Sequence, residues 1–144
     1  MTGENFVGKF NFVSSENFEE YMKAIGVGFA LRKIANQQRP TIEIKIDGDT
    51  WTLTSISVFK TTVITFKPNE EFEESTPDGR KMKTTFTLEG DNKLIQEQKP
   101  IQSSDKVSRI IRELKEEGTV MEIICEAETG AEKVVAKRIY KRAE

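Results

Sequence analysis

The stretch TIEIKIDGDTWTLTSIS, residues 41–57, contains the signal that decides the fold class. Isoleucine occupies every second position from 42 to 46, with charged side chains between, so one face is apolar and the other is charged. Asp47-Gly48 then supplies a dipeptide that readily adopts the positive backbone angles of a tight turn. The alternation resumes with Trp51, Leu53, Ser55, Ser57 and Phe59 on one face, which predicts a second strand that runs through Phe59 and a β-hairpin with one buried face.

The same pattern of short alternating segments and turn residues extends in both directions from this hairpin. One segment, 7–13, lies upstream, and the others follow downstream as far as residue 142. About ten strands joined mostly by tight turns favour an all-β fold, either an up-and-down antiparallel barrel or a sandwich. The length fits one domain over 1–144. The downstream turn signals are Pro68-Asn69, Thr76–Gly79, Gly90–Asn92, Glu117-Gly118 and Thr129-Gly130.

One segment, about 16–36, breaks the alternation and has helical spacing instead. Ser15 can cap its N-terminus, and the acidic residues that follow suit the positive end of the helix dipole. Gly26 interrupts the segment and predicts two short helices, which would form a lid between the first and second strands. Two apolar stripes would face the barrel: Phe18, Tyr21, Met22 and Ile25, then Val27, Ala30, Leu31 and Ile34.

The composition excludes several classes of function. The chain contains no histidine, which removes Ser-His and Cys-His catalysis and histidine metal sites. Its formal net charge of −2 argues against nucleic-acid binding. The lone Cys125 lies in an apolar strand pattern and is expected to be a small buried hydrophobe. Carboxylate catalysis stays open only through Glu73, Glu74 and Asp78, which cluster around a predicted turn. We expect a non-catalytic protein without cofactor or metal.

We expect the protein to be located in the cytosol. The N-terminal stretch lacks a basic region followed by an apolar run, so no signal peptide is visible. No apolar stretch approaches the length that spans a membrane. A single cysteine also fits a reducing compartment.

The last predicted strand, 134–142, poses a problem, because its alternation turns two polar groups inward. Lys137 and Lys141 mark one face as exposed, which leaves Arg138 and Tyr140 on the inner face, where an unpaired charge is costly. Polar residues recur on the inner faces of other strands: Ser55, Ser57, Thr62, Thr84, Gln96, Gln98, Ser108 and Arg112.

Two explanations of these polar inner faces compete. Some strands have the opposite register, since a slip of one residue reverses every side chain, or the barrel encloses a hydrated ligand cavity. In the second case Arg112 and Arg138 form an anion receptor, because the planar guanidinium matches a carboxylate.

Eight motifs are distributed over nearly the whole chain. They are GKFNFVSSENFEEYMKAI (8–25), GVGFALRK (26–33), RPTIEI (39–44), SVFKTT (57–62), DGRKMK (78–83), EQK (97–99), IIREL (110–114) and RIY (138–140). Together these motifs resemble the intracellular lipid-binding proteins, the cytosolic fatty-acid- and retinoid-binding family. The resemblance implies a ten-stranded antiparallel β-barrel, capped by two short helices, that binds a long-chain fatty acid or a similar amphiphile.

The chain departs from the family pattern in two places. Phe10 stands where the family usually has tryptophan, which keeps the position aromatic. The stretch between Arg112 and Arg138 is longer than usual, with the extra residues around 126–133, so the length of the final hairpin is an open question.

The resemblance and the inner-face pattern together assign expected roles. Arg112, Arg138 and Tyr140 are expected to bind the ligand carboxylate. The expected cavity and portal residues are Phe18, Tyr21, Met22, Ser55, Ser57, Phe59, Thr62, Gln96 and Gln98. Outward-facing lid residues expected to make transient membrane contact are Phe29, Arg32 and Lys33.

We therefore predict a monomeric, non-catalytic carrier of long-chain fatty acids. Two alternatives stay open. One is a retinoid carrier, because nothing in the sequence separates a fatty acid from a retinoid. The other is an interaction module whose lid contacts a membrane or a partner protein.

Overall fold

The computed structural model describes residues 3–102 and 106–144, which form one sheet of ten strands, two α-helices and two short 3₁₀ helices at Glu4–Phe6 and Glu116–Gly118. The order of neighbouring strands is β4-β3-β2-β1-β10-β9-β8-β7-β6-β5, and each neighbouring pair is antiparallel. The first strand therefore pairs with the last, which curls the sheet into a nearly closed barrel. The strands are β1 Gly8–Glu16, β2 Thr41–Asp47, β3 Thr50–Ile56, β4 Thr61–Phe66, β5 Phe72–Ser75, β6 Lys81–Glu89, β7 Lys93–Pro100, β8 Ser108–Lys115, β9 Val120–Thr129 and β10 Glu132–Arg142.

The hairpin of β2 and β3 confirms the prediction made from residues 41–57. Ile46 pairs with Trp51 and Ile44 with Leu53, so the apolar residues of both strands share the inner face. Gly48 has φ of 64°, a left-handed conformation that glycine adopts without a steric penalty. Strand β3 ends at Ile56, earlier than the predicted run through Phe59, because residues 57–60 form a turn in which the amide of Ser57 donates to the carbonyl of Lys60 at 3.0 Å.

Strand β1 extends to Glu16, three residues beyond the predicted segment 7–13. A register shift between Phe12 and Ser14 lets the strand continue along β10, so that Ser15 pairs with Arg138. The predicted helix cap at Ser15 is therefore wrong. The residue before the first helix is Asn17, with φ of 62° and no capping hydrogen bond from its side chain.

The two helices are α1 Phe18–Ala24 and α2 Phe29–Gln37, and both lie between β1 and β2 in the chain. Gly26 separates them with φ of 92°, which confirms the predicted break. Tyr21, Met22, Ile25 and Val27 are buried beneath the lid, as the stripes predict, but Ala30 is exposed. Among the described residues, neither helix is long and apolar enough to cross a membrane.

The final hairpin contains the extra residues that the sequence leaves unexplained. Strands β9 and β10 stay paired from Val120 and Lys141 to Thr129 and Glu132, so residues around 126–133 lengthen an ordinary hairpin. The alternation holds along β10. Ala136, Arg138 and Tyr140 are buried, and Lys137 is exposed.

An aromatic core fills the barrel around the β2–β3 turn. Trp51 lies between Phe6 and Phe66, with ring centroids 5.8 and 5.6 Å away, and Phe66 stacks on Phe86 at 3.7 Å. Phe10, the position usually held by tryptophan in the resembling family, is completely buried. Its ring lies 4.5 Å below the guanidinium of Arg142, whose three hydrogen bonds reach the carbonyls of Asn5, Val7 and Gly118. The apolar core therefore occupies one end of the barrel and leaves space at the lid end.

Candidate functional site

A cavity of about 330 Å³ lies between the inner faces of the strands and the lid. Ligand pockets for small molecules begin at about this size. The alternation of buried and exposed residues on β6 to β10 follows the predicted faces, which excludes the opposite register. The residues placed in the cavity or portal by the sequence all line this space: Phe18, Tyr21, Met22, Ser55, Ser57, Phe59, Thr62, Gln96 and Gln98.

The three residues predicted to bind the carboxylate also line the cavity. Arg138 donates from Nη1 to the hydroxyl of Ser15 and from Nη2 to the hydroxyl of Tyr140, each at 3.2 Å. Its guanidinium lies 4.1 Å from the ring centre of Phe18 and 5.0 Å from that of Phe12. Within residues 3–102 and 106–144, no carboxylate lies within ion-pair distance of Arg138. Aromatic rings and neutral hydroxyls thus hold a buried cation that has space for an anion.

Arg112 is the second cation on the cavity wall and is 8% exposed, the same fraction as Arg138. Its Nη1 donates to Oε1 of Gln96 at 2.9 Å, and its Nε has no hydrogen-bond partner among the described residues. Burial lowers the pKa of Arg112, and the negative charge of Glu74 acts in the opposite direction. A carboxylate placed beside the guanidinium of Arg112 would compensate its desolvation.

Glu74 is a site residue that the sequence analysis placed elsewhere. It is 5% exposed, and its Oε1 accepts hydrogen bonds from Thr84 at 2.7 Å and from Gln96 and Gln98 at 3.0 Å each. The available signal was the alternation of Phe72 and Glu74 on the inner side of β5, continued by Thr76 just after the strand. The run of acidic residues around it favoured an exposed turn instead.

The three carboxylates considered for catalysis do not converge. Glu73 is exposed on the outer face of β5, while Glu74 points into the cavity. Asp78 pairs with Arg80 at 2.7 Å. Burial alone would raise the pKa of Asp78, but hydrogen bonds from Arg80 and Thr76 and the charge of Arg80 lower it overall. Among the residues that the structure describes, no cluster of His, Cys, Asp or Glu is arranged to hold a metal ion.

Cys125 is buried on the cavity wall, as its strand pattern predicts. Burial raises the pKa of its thiol to about 11. The thiol is therefore protonated at neutral pH and behaves as a small apolar lining group, since the thiolate is the reactive form.

Hydrogen bonds hold the lid and the neighbouring turns together at the portal, the opening bordered by α2, the β3–β4 turn and the β5–β6 turn. The hydroxyl of Tyr21 on α1 lies 2.5 Å from that of Ser108 on β8. The amide of Phe59 donates to the side chain of Gln38 just after α2, and the ammonium of Lys60 donates to the carbonyl of Pro77. Phe59 is 52% exposed and also lines the cavity, so it lies at the boundary between cavity and solvent.

The outer surface of the lid differs from its predicted form at one residue. Phe29 is 71% exposed and Lys33 is exposed, as predicted. The side chain of Arg32, by contrast, is only 14% exposed, because it pairs with Glu19 on α1 at 2.5 Å and donates to the carbonyl of Val27 at 2.6 Å. The prediction that Arg32 faces freely outward is therefore wrong, since its guanidinium joins the two helices.

These features define the class of the protein as an internal ligand-binding β-barrel. A model of the lipocalin / cytosolic fatty-acid binding protein family matches residues 7–143. The chain is 43% identical over 142 residues to fatty acid-binding protein homolog 5 of Caenorhabditis elegans, and the alignment covers 99% of each chain. It is 46% identical over 140 residues to sodium/calcium exchanger regulatory protein 1 of Doryteuthis pealeii, with 97% of this chain and 98% of the relative covered.

A solved structure of a fatty acid binding protein also matches the chain over its whole length. The fatty acid binding protein of Schistosoma mansoni in complex with arachidonic acid has a TM-score of 0.89 and 35% sequence identity, and the alignment covers 100% of both chains. The chain therefore belongs to the lipocalin / cytosolic fatty-acid binding protein family. This membership confirms the resemblance seen in the motifs and the prediction of a binding protein instead of an enzyme.

Proposed function

We propose that this protein is a cytosolic, monomeric carrier of long-chain fatty acids, acting as one unit over residues 1–144. The observation that carries the proposal is the pair of buried guanidiniums, Arg112 and Arg138, on the wall of a cavity whose lining is otherwise largely apolar. A buried cation without an anionic partner is unfavourable, and a fatty-acid carboxylate supplies that partner. The chain of the same ligand would occupy the apolar space between the strands and the lid. Its relatives in Caenorhabditis elegans and Schistosoma mansoni are named for fatty acids, which supports the choice of ligand.

In the proposed complex the carboxylate lies between Arg112 and Arg138, and Tyr140 donates its hydroxyl hydrogen. The Nη2 of Arg138 already donates to the oxygen of Tyr140, which leaves the phenolic hydrogen free for an acceptor. The carboxylate of retinoic acid would bind the same groups. The shape and length of the ligand's apolar chain therefore decide between the two ligand classes.

The proposed role of the lid is transfer to membranes. Phe29 and Lys33 present an exposed aromatic ring and a cation on one helix, a combination that suits an anionic bilayer surface. The name of the Doryteuthis pealeii relative points to a second candidate, contact with a partner protein through the same surface. In that case Phe29 would be an anchor for a protein partner, and transfer to protein-free vesicles would not depend on it.

Native mass spectrometry and calorimetry test the proposed ligand. We expect the purified protein to carry a fatty acid, to lose it on delipidation, and to take up octadecanoate again at one ligand per chain. Retinoic acid titrated under the same conditions gives the comparison within the family. A delipidated, folded protein that binds neither ligand would contradict the carrier function, and tighter binding of retinoic acid would replace fatty acid with retinoid.

A further inference from the structure

The cavity wall contains one buried anion in addition to the two arginines. Glu74 lies on β5 and is 5% exposed. Its Oε1 accepts hydrogen bonds from Thr84 at 2.7 Å and from Gln96 and Gln98 at 3.0 Å each, and its Oε2 accepts a longer one from Gln96 at 3.3 Å. Glu74 is the acceptor in every one of these bonds, which is the behaviour of an ionised carboxylate.

A single amide group connects this anion to the proposed carboxylate site. Nε2 of Gln96 donates to Glu74, and Oε1 of the same side chain accepts from Nη1 of Arg112 at 2.9 Å. The amide thus turns its donor to the anion and its acceptor to the cation. Burial lowers the pKa of Arg112, whereas the charge of Glu74 raises it. Glu74 is therefore close enough to Arg112 to act on a ligand head group that is bound there.

The other charged residues of the lining contribute little to the charge inside the barrel. Asp78 and Arg80 neutralise each other through two hydrogen bonds, at 2.7 and 3.2 Å. Lys60 is exposed at the portal, where solvent screens its charge. Among the described residues of the lining, the buried charges without an ion-pair partner are the two arginines of the proposed carboxylate site and Glu74. Two cations and one anion leave a single positive charge.

We propose that Glu74 restricts the barrel to ligands whose head group carries a single negative charge. A monoanion balances the one uncompensated positive charge of the cavity wall. A dianionic head group, such as that of an alkyl phosphate, would leave an excess negative charge in a buried site, where its repulsion from Glu74 is only weakly screened. This inference rests on the proposed function, because it needs the charged end of the ligand to be held by the arginines.

Two ligands with similar shapes and different charges test the proposal. Octadecyl sulfate and octadecyl phosphate have the same chain and a tetrahedral head group. At about pH 8 the sulfate carries one negative charge and the phosphate two, since the second pKa of a phosphate monoester is about 6. Equilibrium titration of the delipidated wild-type protein, with octadecanoate as the reference ligand, is expected to show that the sulfate binds at least about tenfold more tightly than the phosphate.

Three variants assign this preference to Glu74. Glu74→Gln removes the charge and keeps the size of the side chain, so the preference for the sulfate is expected to fall by about tenfold. Glu74→Met is a second neutral variant with the same expected effect. Glu73→Gln is the matched control, because it removes the same charge from the neighbouring residue of β5, which is exposed on the outer face. It is expected to keep the wild-type preference.

Three outcomes overturn the inference: a wild-type protein that binds the phosphate as tightly as the sulfate, a preference that is undiminished in the neutral Glu74 variants, or an equal loss of preference in Glu73→Gln. If octadecanoate binds the wild type in these cases, the carrier function stands. If octadecanoate does not bind, the proposed function itself fails. Either neutral variant is sufficient, so the test does not depend on the folding of Glu74→Gln alone.

Discussion

Arg138 shows how individual residues position a buried cation without a built-in counter-ion. Its guanidinium is held by two hydroxyl groups and by the faces of Phe12 and Phe18, which are neutral partners. Cation–π contacts and hydrogen bonds to neutral groups orient a guanidinium but leave its charge uncompensated. The cation is therefore positioned in advance, and in the proposed function a carboxylate would gain more from it than a neutral lipid would.

Replacing Arg138 with glutamine tests that conclusion. A hydrogen bond that involves a charged group contributes about 1.5–3 kcal/mol. Arg138→Gln is therefore expected to weaken octadecanoate binding by about ten- to a hundredfold, while binding of the methyl ester changes little. Isothermal titration calorimetry with both ligands measures the difference.

Lys137→Gln is the control for this substitution. Lys137 is the next residue on β10 and faces outward, where its ammonium lies 3.8 Å from Glu122. Exposed ion pairs contribute little to stability, so this variant is expected to bind and fold like the wild type. A loss of affinity in Lys137→Gln with none in Arg138→Gln would contradict the assignment of the carboxylate site to the inner face of β10.

In the lid, side chains join the two short helices α1 and α2. The helical spacing of apolar residues in the sequence does not predict these contacts. Arg32 on α2 bonds Glu19 on α1, and Asn36 donates to the same carboxylate at 3.0 Å. Helical spacing predicts which residues of α2 lie outward, but it contains no information about the position of α1. For this reason Arg32 links the two helices. Of the two neighbouring cations Arg32 and Lys33, only Lys33 stays exposed.

We expect Lys33→Glu and Arg32→Gln to affect membrane transfer in different ways. Each cation near an anionic bilayer contributes about 1 kcal/mol, and salt screens this attraction. Lys33→Glu is therefore expected to slow transfer of a fluorescent fatty acid to anionic vesicles and to weaken its salt dependence, with unchanged equilibrium affinity. Arg32→Gln loosens the contact between the helices, so it should change the transfer rate by a similar factor for neutral and anionic vesicles.

Stopped-flow transfer to vesicles with and without anionic lipid, at low and high salt, separates the two effects. If Lys33→Glu transfers its ligand at the wild-type rate to anionic vesicles at low salt, the lid surface does not make the proposed electrostatic contact. The partner-protein alternative then becomes the better explanation of the exposed Phe29.

At the scale of the whole molecule, the barrel has a weak line between β4 and β5. These strands are the two ends of the sheet order, and no strand pairing joins them in the chain as described. Side chains bridge the gap instead: Phe66 stacks on Phe86 at one level, and Lys60 reaches the carbonyl of Pro77 beside the portal. Strand β9, in contrast, is paired along its length with both β8 and β10.

Hydrogen exchange is therefore expected to differ between the two sides of the barrel. Backbone amides of β4 and β5 that face the gap are expected to exchange by local opening, at least tenfold faster than those of β9. Ligand binding is expected to slow exchange in β4, β5 and the lid more than in β9, because residues on both sides of the gap line the cavity proposed to hold the ligand. Equal protection of β4 and β9 in the empty protein would contradict this account of the fold's weak side.

Much of this architecture was determined by local sequence. Alternating side chains and turn residues such as Asp47-Gly48 depend on neighbours a few positions apart, so strand positions and the inward direction of Arg112 and Arg138 could be predicted. Helical spacing and Gly26 predicted the two-helix lid. The motifs added the barrel, which periodicity alone could not distinguish from a sandwich. Predicted boundaries failed at Ser15 and at residues 57–60, where a register shift and a turn changed the pairing.

The tertiary structure alone decided which inner-face residues meet. Glu74 joins Thr84, Gln96 and Gln98 only because β5, β6 and β7 lie side by side, and Ser15 reaches Arg138 only because the first strand pairs with the last. The burial of Glu74 and of Arg32 depends in the same way on groups that are distant in the sequence. Such contacts arise from the closure of the barrel, and a one-dimensional pattern of side chains records the face of each strand but not its neighbours.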